Sequence, residues 1–335
     1  MVSRPIGIIV NPQSGKDVRR IVSHASTVTN FEKINIVKRV LTGLAAAGAR
    51  WVVYMPDPKD LVGKAFNAIP NILELEVNPV NITVKGNELD TVAAVQKMAN
   101  IGVAAIVTLG GDGTNRLIAK ITTDVPLIPI STGTNNIFPD FIEGTKAGFT
   151  AGVVAALTGN GVANHQLTYR HKQLKIESDG LTECALIDVA ISSSKYIGGK
   201  ALWEPDSLKY IFVTRTSPGA IGPSGILGSV MEIGTRDSHG GYLTTGTKSY
   251  VKAILASGIV ANVGVDSFGK MEDGESRSVF VEQGTLLTDG EKILSLHQKP
   301  VTITLDSEGP LVVDVHTTLS LAREMNFFVG NNQLG

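Results

Sequence analysis

The chain has 335 residues, of which 43% are hydrophobic; that much apolar side chain excludes intrinsic disorder and suggests about two domains at roughly 150 residues each. Thirty Lys and Arg stand against thirty-one Asp and Glu, a formal charge of −1 at pH 7. A chain so balanced is not built chiefly to coat nucleic acid or anionic lipid, so any electrostatic site has to be local.

Residues 4–10 form a continuous β-branched run, the pattern of a strand covered on both faces, and lead straight into Asn11-Pro12-Gln13-Ser14-Gly15-Lys16. Over 31–47, Ile34, Val37, Leu41 and Leu44 recur at helical spacing, and the pattern stops at Gly48. The unit then repeats. Residues 50–55 predict a strand, 59–68 a helix, 80–84 a strand, 89–99 a helix and 104–109 a strand. Gly110-Gly111-Asp112-Gly113-Thr114 follows, then a helix to Lys120 and a strand over 126–130. Strands alternating with helices imply an α/β domain over 1–145, its parallel sheet covered on both faces and its ligands at the carboxyl ends of the strands.

Helical periodicity continues through Leu157, but from Leu167 onward short β-rich runs dominate: 173–176, 184–191, 208–214, 254–265, 278–286, 301–305 and 311–319. Turns such as Ser178-Asp179-Gly180, Asp273-Gly274 and Asp289-Gly290 separate them. Residues 146–320 therefore read as a mostly β second domain, a sandwich, with 321–335 as a C-terminal segment able to return to the first. No repeat or low-complexity linker divides the halves, which predicts close packing around a shared cleft. The single cysteine, Cys184, lies among Leu181, Ala185, Leu186 and Ile187, so a small core residue in a reducing compartment is expected. No stretch approaches the roughly 18 uninterrupted apolar residues of a membrane span, and residues 1–10 lack a signal peptide's apolar length and cleavage pattern. A cytoplasmic location is the expectation.

The sharpest chemical signal is at 104–120. There a buried strand delivers Gly110, Gly111 and Gly113 to the sheet edge, where glycine permits positive φ and close backbone approach, so that amides can cradle phosphate oxygens. Thr114 can cap the next helix, with Asn115 beside it, and that helix's positive end faces the same point. Asp112 would repel a phosphate unless it held Mg²⁺ or accepted a proton from an attacking hydroxyl, and both are phosphoryl-transfer roles. The plain alternative is an Asp-Gly turn.

Two further loops leave the same edge. Asn11, Ser14 and Gly15 can hold distal phosphates while Lys16, with Arg19 or Arg20, neutralises charge; the arginines read equally well as a solvated helix face. Ser131-Thr132-Gly133-Thr134-Asn135-Asn136 follows the 126–130 strand, and six small polar residues serve poorly as core but well as hydrogen-bonding groups for a nucleotide. No Gly-Lys pair is followed by Ser or Thr, no Gly-x-Ser-x-Gly elbow occurs, and the histidines have no metal-site spacing. His24 reads as a helix-end histidine sooner than as a proton carrier.

Taken together, Asn-Pro-x-Ser-Gly at 11–15, Gly-Gly-Asp-Gly-Thr at 110–114 and Gly-Thr-x-Asn at 133–136 resemble the superfamily of ATP-dependent NAD kinases and diacylglycerol or sphingosine kinases. More narrowly, residues 7–16, the run Asp17-Val18-Arg19-Arg20 through His24-Ala25-Ser26 to Asn35-Ile36-Val37, and 131–139 are similar to AcoX-type, ATP-NAD-kinase-like proteins associated with acetoin catabolism. The resemblance covers about residues 5–150 and is weaker beyond. It implies a Rossmann-like nucleotide domain, a β-sandwich domain, a homodimer or larger oligomer, and transfer of the ATP γ-phosphate to a hydroxyl, usually with Mg²⁺. It also implies that Asp112 activates the acceptor hydroxyl or organises the metal while the adjoining glycines bind nucleotide.

The second half departs from the NAD kinase pattern. The Asn-Glu pair that holds NAD in those enzymes has its nearest counterpart in Ile187-Asp188, which leaves Asp188 as the acceptor-binding candidate. Their Thr-Pro-Thr-Gly-Ser segment is echoed only in Thr216-Ser217-Pro218-Gly219-Ala220. Lipid kinases carry a late Asp-Gly-Glu, and both Asp289-Gly290-Glu291 and Asp306-Ser307-Glu308 are candidates, each also a good surface turn. NAD (NAD + ATP to NADP + ADP) ranks first as acceptor, a small diol or related metabolite second and a lipid third. A non-catalytic nucleotide-binding regulator is the rival from another class.

Overall fold

The computed structural model describes residues 4–14, 28–70, 74–133, 136–194 and 205–329. Its first half alternates as the residue pattern requires: β1 (Ile6–Val10), α1 (Asn30–Ala46), β2 (Trp51–Tyr54), α2 (Leu61–Asn67), β3 (Glu76–Pro79), α3 (Glu88–Ile101), β4 (Ile106–Gly110), α4 (Asp112–Ile121), β5 (Leu127–Ser131) and α5 (Gly144–Gly159). These strands pair in parallel in the order β3-β2-β1-β4-β5, and β1, β4 and β5 are buried along their whole length. The order reverses between β1 and β4. That is a topological switch point, where a crevice opens beyond the carboxyl ends of the two strands.

Helix α1 starts where the Thr29 side chain accepts the Glu32 amide, and it buries Lys33, Ile36, Val37, Val40, Leu41 and Leu44 along one stripe. Against that stripe lies α5, with glycine at every fourth position from Gly144 to Gly152. A Cβ at Gly148 would sit 2.0 Å from the Val40 carbonyl, and one at Gly43 2.2 Å from the Thr145 carbonyl. Only bare backbone lets two helices cross so closely.

The strand expected over 80–84 lies instead at Glu76–Pro79. Its partner β2 ends at Tyr54, whose carbonyl takes the Val80 amide, so beyond Val80 no strand remains to pair with.

The chain continues through β6 (Thr168–Arg170), β7 (Gln173–Ser178), β8 (Leu181–Ala185), β9 (Asp188–Ser192), β10 (Leu208–Val213), α6 (Pro223–Gly228), β11 (Gly240–Ala256), β12 (Ile259–Met271), β13 (Ser276–Thr288), β14 (Glu291–Asp306), β15 (Leu311–Val313) and α7 (Val315–Glu324). Eight of these strands form one antiparallel sheet in the order β12-β11-β10-β9-β13-β14-β7-β8. It is a single sheet that curls over. Three strands separate β11 from β14, yet a Cβ at Gly240 would lie 2.9 Å from Leu305. One face buries Leu174, Ile176, Val189, Phe212, Ile303 and Leu305; the other packs with α6 through Val213, Leu243, Ile226 and Leu227. The run at 254–265 is two strands joined at Ser257-Gly258, with Gly258 at φ +82°.

Strands β15 and β6 extend the first sheet beyond β5, and Phe149 of α5 stacks on Phe328 just past α7. A cut at residue 145 would therefore sever α5 from the layer it packs on. The α/β layer includes 144–170 and 311–324 as well as the first 140 residues.

Candidate active site

At the switch point the loop after β1 is closed by its own asparagine. The Asn11 carboxamide oxygen accepts the Gln13 and Ser14 amides at 2.8 and 3.2 Å, and its nitrogen donates to Thr114 Oγ1 at 2.9 Å. Lys33, fully buried, donates from α1 to the carbonyls of Asn11 and Ser14 at 2.8 and 2.7 Å. Thr132 Oγ1, beyond β5, donates to Ser14 Oγ at 2.9 Å, and the Thr132 amide donates to the Gly110 carbonyl at 3.3 Å. Three loops from β1, β4 and β5 are thus bonded to one another across the crevice.

Of the two uses expected of glycine in the β4 loop, positive φ and close approach, only the second is made. None of Gly110, Gly111 and Gly113 has positive φ, and Gly111 lies at −107°. Space is what they supply. A Cβ would meet Thr114 at 2.6 Å from Gly110, Asn136 Oδ1 at 2.7 Å from Gly111 and Glu291 Oε1 at 2.4 Å from Gly113. Nor does Thr114 cap the helix: α4 begins at Asp112 with Gly111 as N-cap, and Thr114 instead receives the Asn11 bond. Asn115 is held inward by Thr108 Oγ1 at 2.8 Å and donates to the Gly111 carbonyl at 2.9 Å. Beyond β5, Ser131 Oγ donates to the Gly133 carbonyl at 2.8 Å and accepts from Asn136 Nδ2 at 3.0 Å.

Asp112, in the first turn of α4, is 8% exposed. Its Oδ1 accepts the Phe138 amide at 2.8 Å and the Ile137 amide at 3.1 Å; Oδ2 takes only the Ile137 amide, also at 3.1 Å, and keeps lone-pair capacity. Burial and the neighbouring Asp289 charge push this carboxyl up to about 7, against the pull of the two amides and of Arg215. An acid poised there exchanges a proton readily near neutral pH.

The two late acidic turns differ in position. Asp289 Oδ1 and Oδ2 accept the amides of Leu186, Ile187 and Asp188 at 2.8–3.2 Å, and Arg116, one turn along α4 from Asp112, lies 3.5 Å from Asp289 and 2.5 Å from Glu291. Arg116 also meets Glu183 at 3.4 Å, and Lys120 meets Glu183 at 2.6 Å. Asp289-Gly290-Glu291 therefore docks on α4. By contrast, Asp306 takes Gln173 and Lys175 at 2.7 and 3.0 Å, and Glu308 pairs with Arg170 at 3.0 Å, holding strands together well away from α4 in the bonding pattern. Asp188 is buried; it lies opposite Val213 and hence on the sheet face that packs with α6.

Of the expected site residues, Asn11, Ser14, Gly110, Gly111, Asp112, Gly113, Thr114, Asn115, Ser131, Thr132, Gly133 and Asn136 gather at the crevice. Gly15, Lys16, Arg19, Arg20, His24, Thr134 and Asn135 lie outside the described residues. Three cations went unread: Lys33, Arg116 and Arg215, whose Nη2 donates to the carbonyls of Ile137 and Phe138. Lys33 was legible in retrospect, since it continues the stripe of Ile36 and Val37 one turn earlier. Arg116 shares a helix face with Asp112 four residues before it.

Among the described residues no three His, Cys, Asp or Glu side chains gather as a metal cage. The donors at the crevice are hard oxygens, the Asp112 carboxylate among them, which suits a Mg²⁺ that draws most of its ligands from phosphate and water.

Residues 6–156 match the ATP-NAD kinase N-terminal domain family, and residues 172–308 match the acetoin catabolism protein X C-terminal domain family. Acetoin catabolism protein X of Cupriavidus necator is 33% identical to the chain over 325 residues, which cover 92% of the chain and 90% of that relative. Among solved structures, a candidate diacylglycerol kinase from Bacillus anthracis str. Sterne aligns with a TM-score of 0.47 and 14% identity over 92% of this chain and 97% of that one. No helix among the described residues is long and apolar enough to cross a membrane.

Proposed function

The chain belongs to the acetoin catabolism protein X family, and from that premise we propose that it is an ATP-dependent phosphotransferase that moves the γ-phosphate onto an alcohol hydroxyl. The observation that carries the reading is the meeting of three loops, through Asn11–Thr114, Ser14–Thr132 and Gly110–Thr132 bonds, beside the buried acid Asp112. Amides, hydroxyls and the α4 N-terminus offer donors to a polyphosphate, and phosphoryl transfer depends chiefly on such positioning and charge stabilisation.

Asp112 accepts the proton of the acceptor hydroxyl as that hydroxyl's oxygen bonds to the γ-phosphorus and the bond to the β–γ bridging oxygen breaks, releasing ADP. Its free Oδ2 capacity points to the atom that does so. Lys33 holds the β1 loop in shape by its bonds to Asn11 and Ser14, and Arg116 keeps the Asp289-Gly290-Glu291 turn against the start of α4. A Mg²⁺ held by Asp112 and the phosphates would neutralise charge on the transferring group.

NAD is the first acceptor to test, on the strength of the first half's family. A small diol or related hydroxyl metabolite of acetoin catabolism stands beside it, because the second half matches the acetoin catabolism protein X domain and lacks the Asn of the NAD-binding pair. We place the protein in the cytoplasm as a homo-oligomer. Pooled metabolites incubated with enzyme and ATP, read by mass spectrometry and ADP release, test the reading: one hydroxyl compound should gain a phosphate. Tight nucleotide binding with no phosphate transferred to any member of the pool would replace the kinase with a nucleotide-binding regulator.

A further inference from the structure

Asp112 is held by a peptide that is itself held from the far side. The Ile137–Phe138 peptide is trans, so its N–H and C=O point in opposite directions. The N–H goes to Asp112 at 2.8 Å, and the C=O goes to Arg215 Nη2, which also reaches the Phe138 carbonyl at 3.3 Å. Arg215 comes from the second sheet, two residues beyond β10. It is anchored by Nη1 to Thr235 Oγ1 at 2.7 Å. The Thr235 segment is in turn fixed by Lys172, whose Nζ donates to the carbonyls of Gly234, Asp237 and His239 at 3.1, 2.7 and 2.7 Å.

We propose that Arg215 is a positioning residue for the Asp112 centre: by clamping the Ile137–Phe138 peptide from the second sheet, it presses two amides onto the acid and couples that acid to the second domain. This rests on the phosphotransferase reading above, in which Asp112 is the proton acceptor. A guanidinium on the carbonyl side polarises the peptide and strengthens its N–H as a donor, and its charge acts on the acid directly as well. Both effects favour the ionised carboxylate. The other charges acting on Asp112 are few: Asp289 opposes ionisation, and Arg116 faces Asp289 from the next turn of α4. Arg215 is thus the cation in this surround that works for the acid.

The experiment compares Arg215→Met, Arg215→Lys and Thr235→Val with the unaltered full chain. Hydrogen exchange at the Ile137 and Phe138 amides needs no turnover, and kcat against KM for ATP gives the second readout. In Arg215→Met, exchange at those amides should quicken at least about tenfold, and kcat should fall at least about tenfold while KM for ATP changes less than about twofold, because the acid loses its placement while the nucleotide loops keep their bonds. Lysine restores charge without the planar fork, so Arg215→Lys should recover part of kcat while exchange stays fast. Thr235→Val, which removes one anchor, should move both readouts the same way by less, and it carries the test if Arg215→Met fails to fold. A folded Arg215→Met with unchanged exchange overturns the proposal. If the unaltered chain transfers no phosphate, the phosphotransferase reading falls while the exchange result still decides the clamp. Transfer with an unaltered kcat in Arg215→Met rejects the positioning role and leaves the kinase standing.

Discussion

Asp112→Asn separates chemistry from stability, because the two should move in opposite directions. Burial and Asp289 hold this carboxyl at about 7 where an ordinary aspartate lies at 3.8. A folded-state value above the unfolded one means that the folded protein prefers the protonated acid. The penalty is therefore absent below the ordinary range and grows by about 1.4 kcal/mol per pH unit as the pH climbs toward 7, levelling near 4 kcal/mol. Asparagine cannot ionise and removes that slope. Its oxygen can still accept the Phe138 amide, but its nitrogen replaces the acceptor at the second Ile137 contact, at a cost of about 1–2 kcal/mol. Urea unfolding should thus find the variant about level with the unaltered protein near pH 5 and more stable by roughly 2–3 kcal/mol at pH 8. Turnover should drop at least about 100-fold while ATP binding survives. A stability difference that is the same at both pH values would refute the buried, half-titrated acid; near-normal turnover would refute its role as proton acceptor.

Arg116→Met strands the buried Asp289 beside an apolar side chain and leaves Glu183 with Lys120 alone, and thermal unfolding should show a loss of about 3–5 kcal/mol. Gly110→Ala drives a methyl into Thr114 and off its Asn11 bond; calorimetry should find ATP affinity at least about tenfold weaker in a chain that still folds. His171 sits buried edge-on to Phe138, and burial, then Arg215, holds it down at about 3. Its contribution to stability is therefore intact above the ordinary 6.5 and is lost as the pH falls below that, so His171→Gln should flatten acid unfolding by about 1.4 kcal/mol per unit between pH 6.5 and 5. The Cys184 thiol is pushed up to about 12 by burial and by Asp289 and Glu183, so Ellman's reagent at pH 8 should label it only as fast as the protein unfolds.

Much of the first half was readable because its signals are local. An apolar run, a glycine cluster and a helical stripe each span fewer than about fifteen residues, and each dictates its conformation without help. Misreadings occurred where a neighbour decided. The alternating residues at 80–84 have strand character but no partner beyond Tyr54, and of the two uses open to the glycines at 110, 111 and 113, positive φ and close approach, the nearness of Thr114, Asn136 and Glu291 selects the second. The choice between Asp289-Gly290-Glu291 and Asp306-Ser307-Glu308 could not be made from turns that look alike. It needed Arg116, which reaches Glu291 across 175 positions of chain.

Composition and spacing by themselves determined a parallel sheet, a β-rich second half and three polar loops that leave the sheet on one side, because strand alternation forces every such loop to the same edge. Only the tertiary structure decided which cations reach those loops and how strongly Asp112 holds a proton. Lys33, Arg116 and Arg215 find their partners through packing between distant segments, and the acid's charge is set by exclusion of water and by Asp289, neither of which is a property of the residue itself.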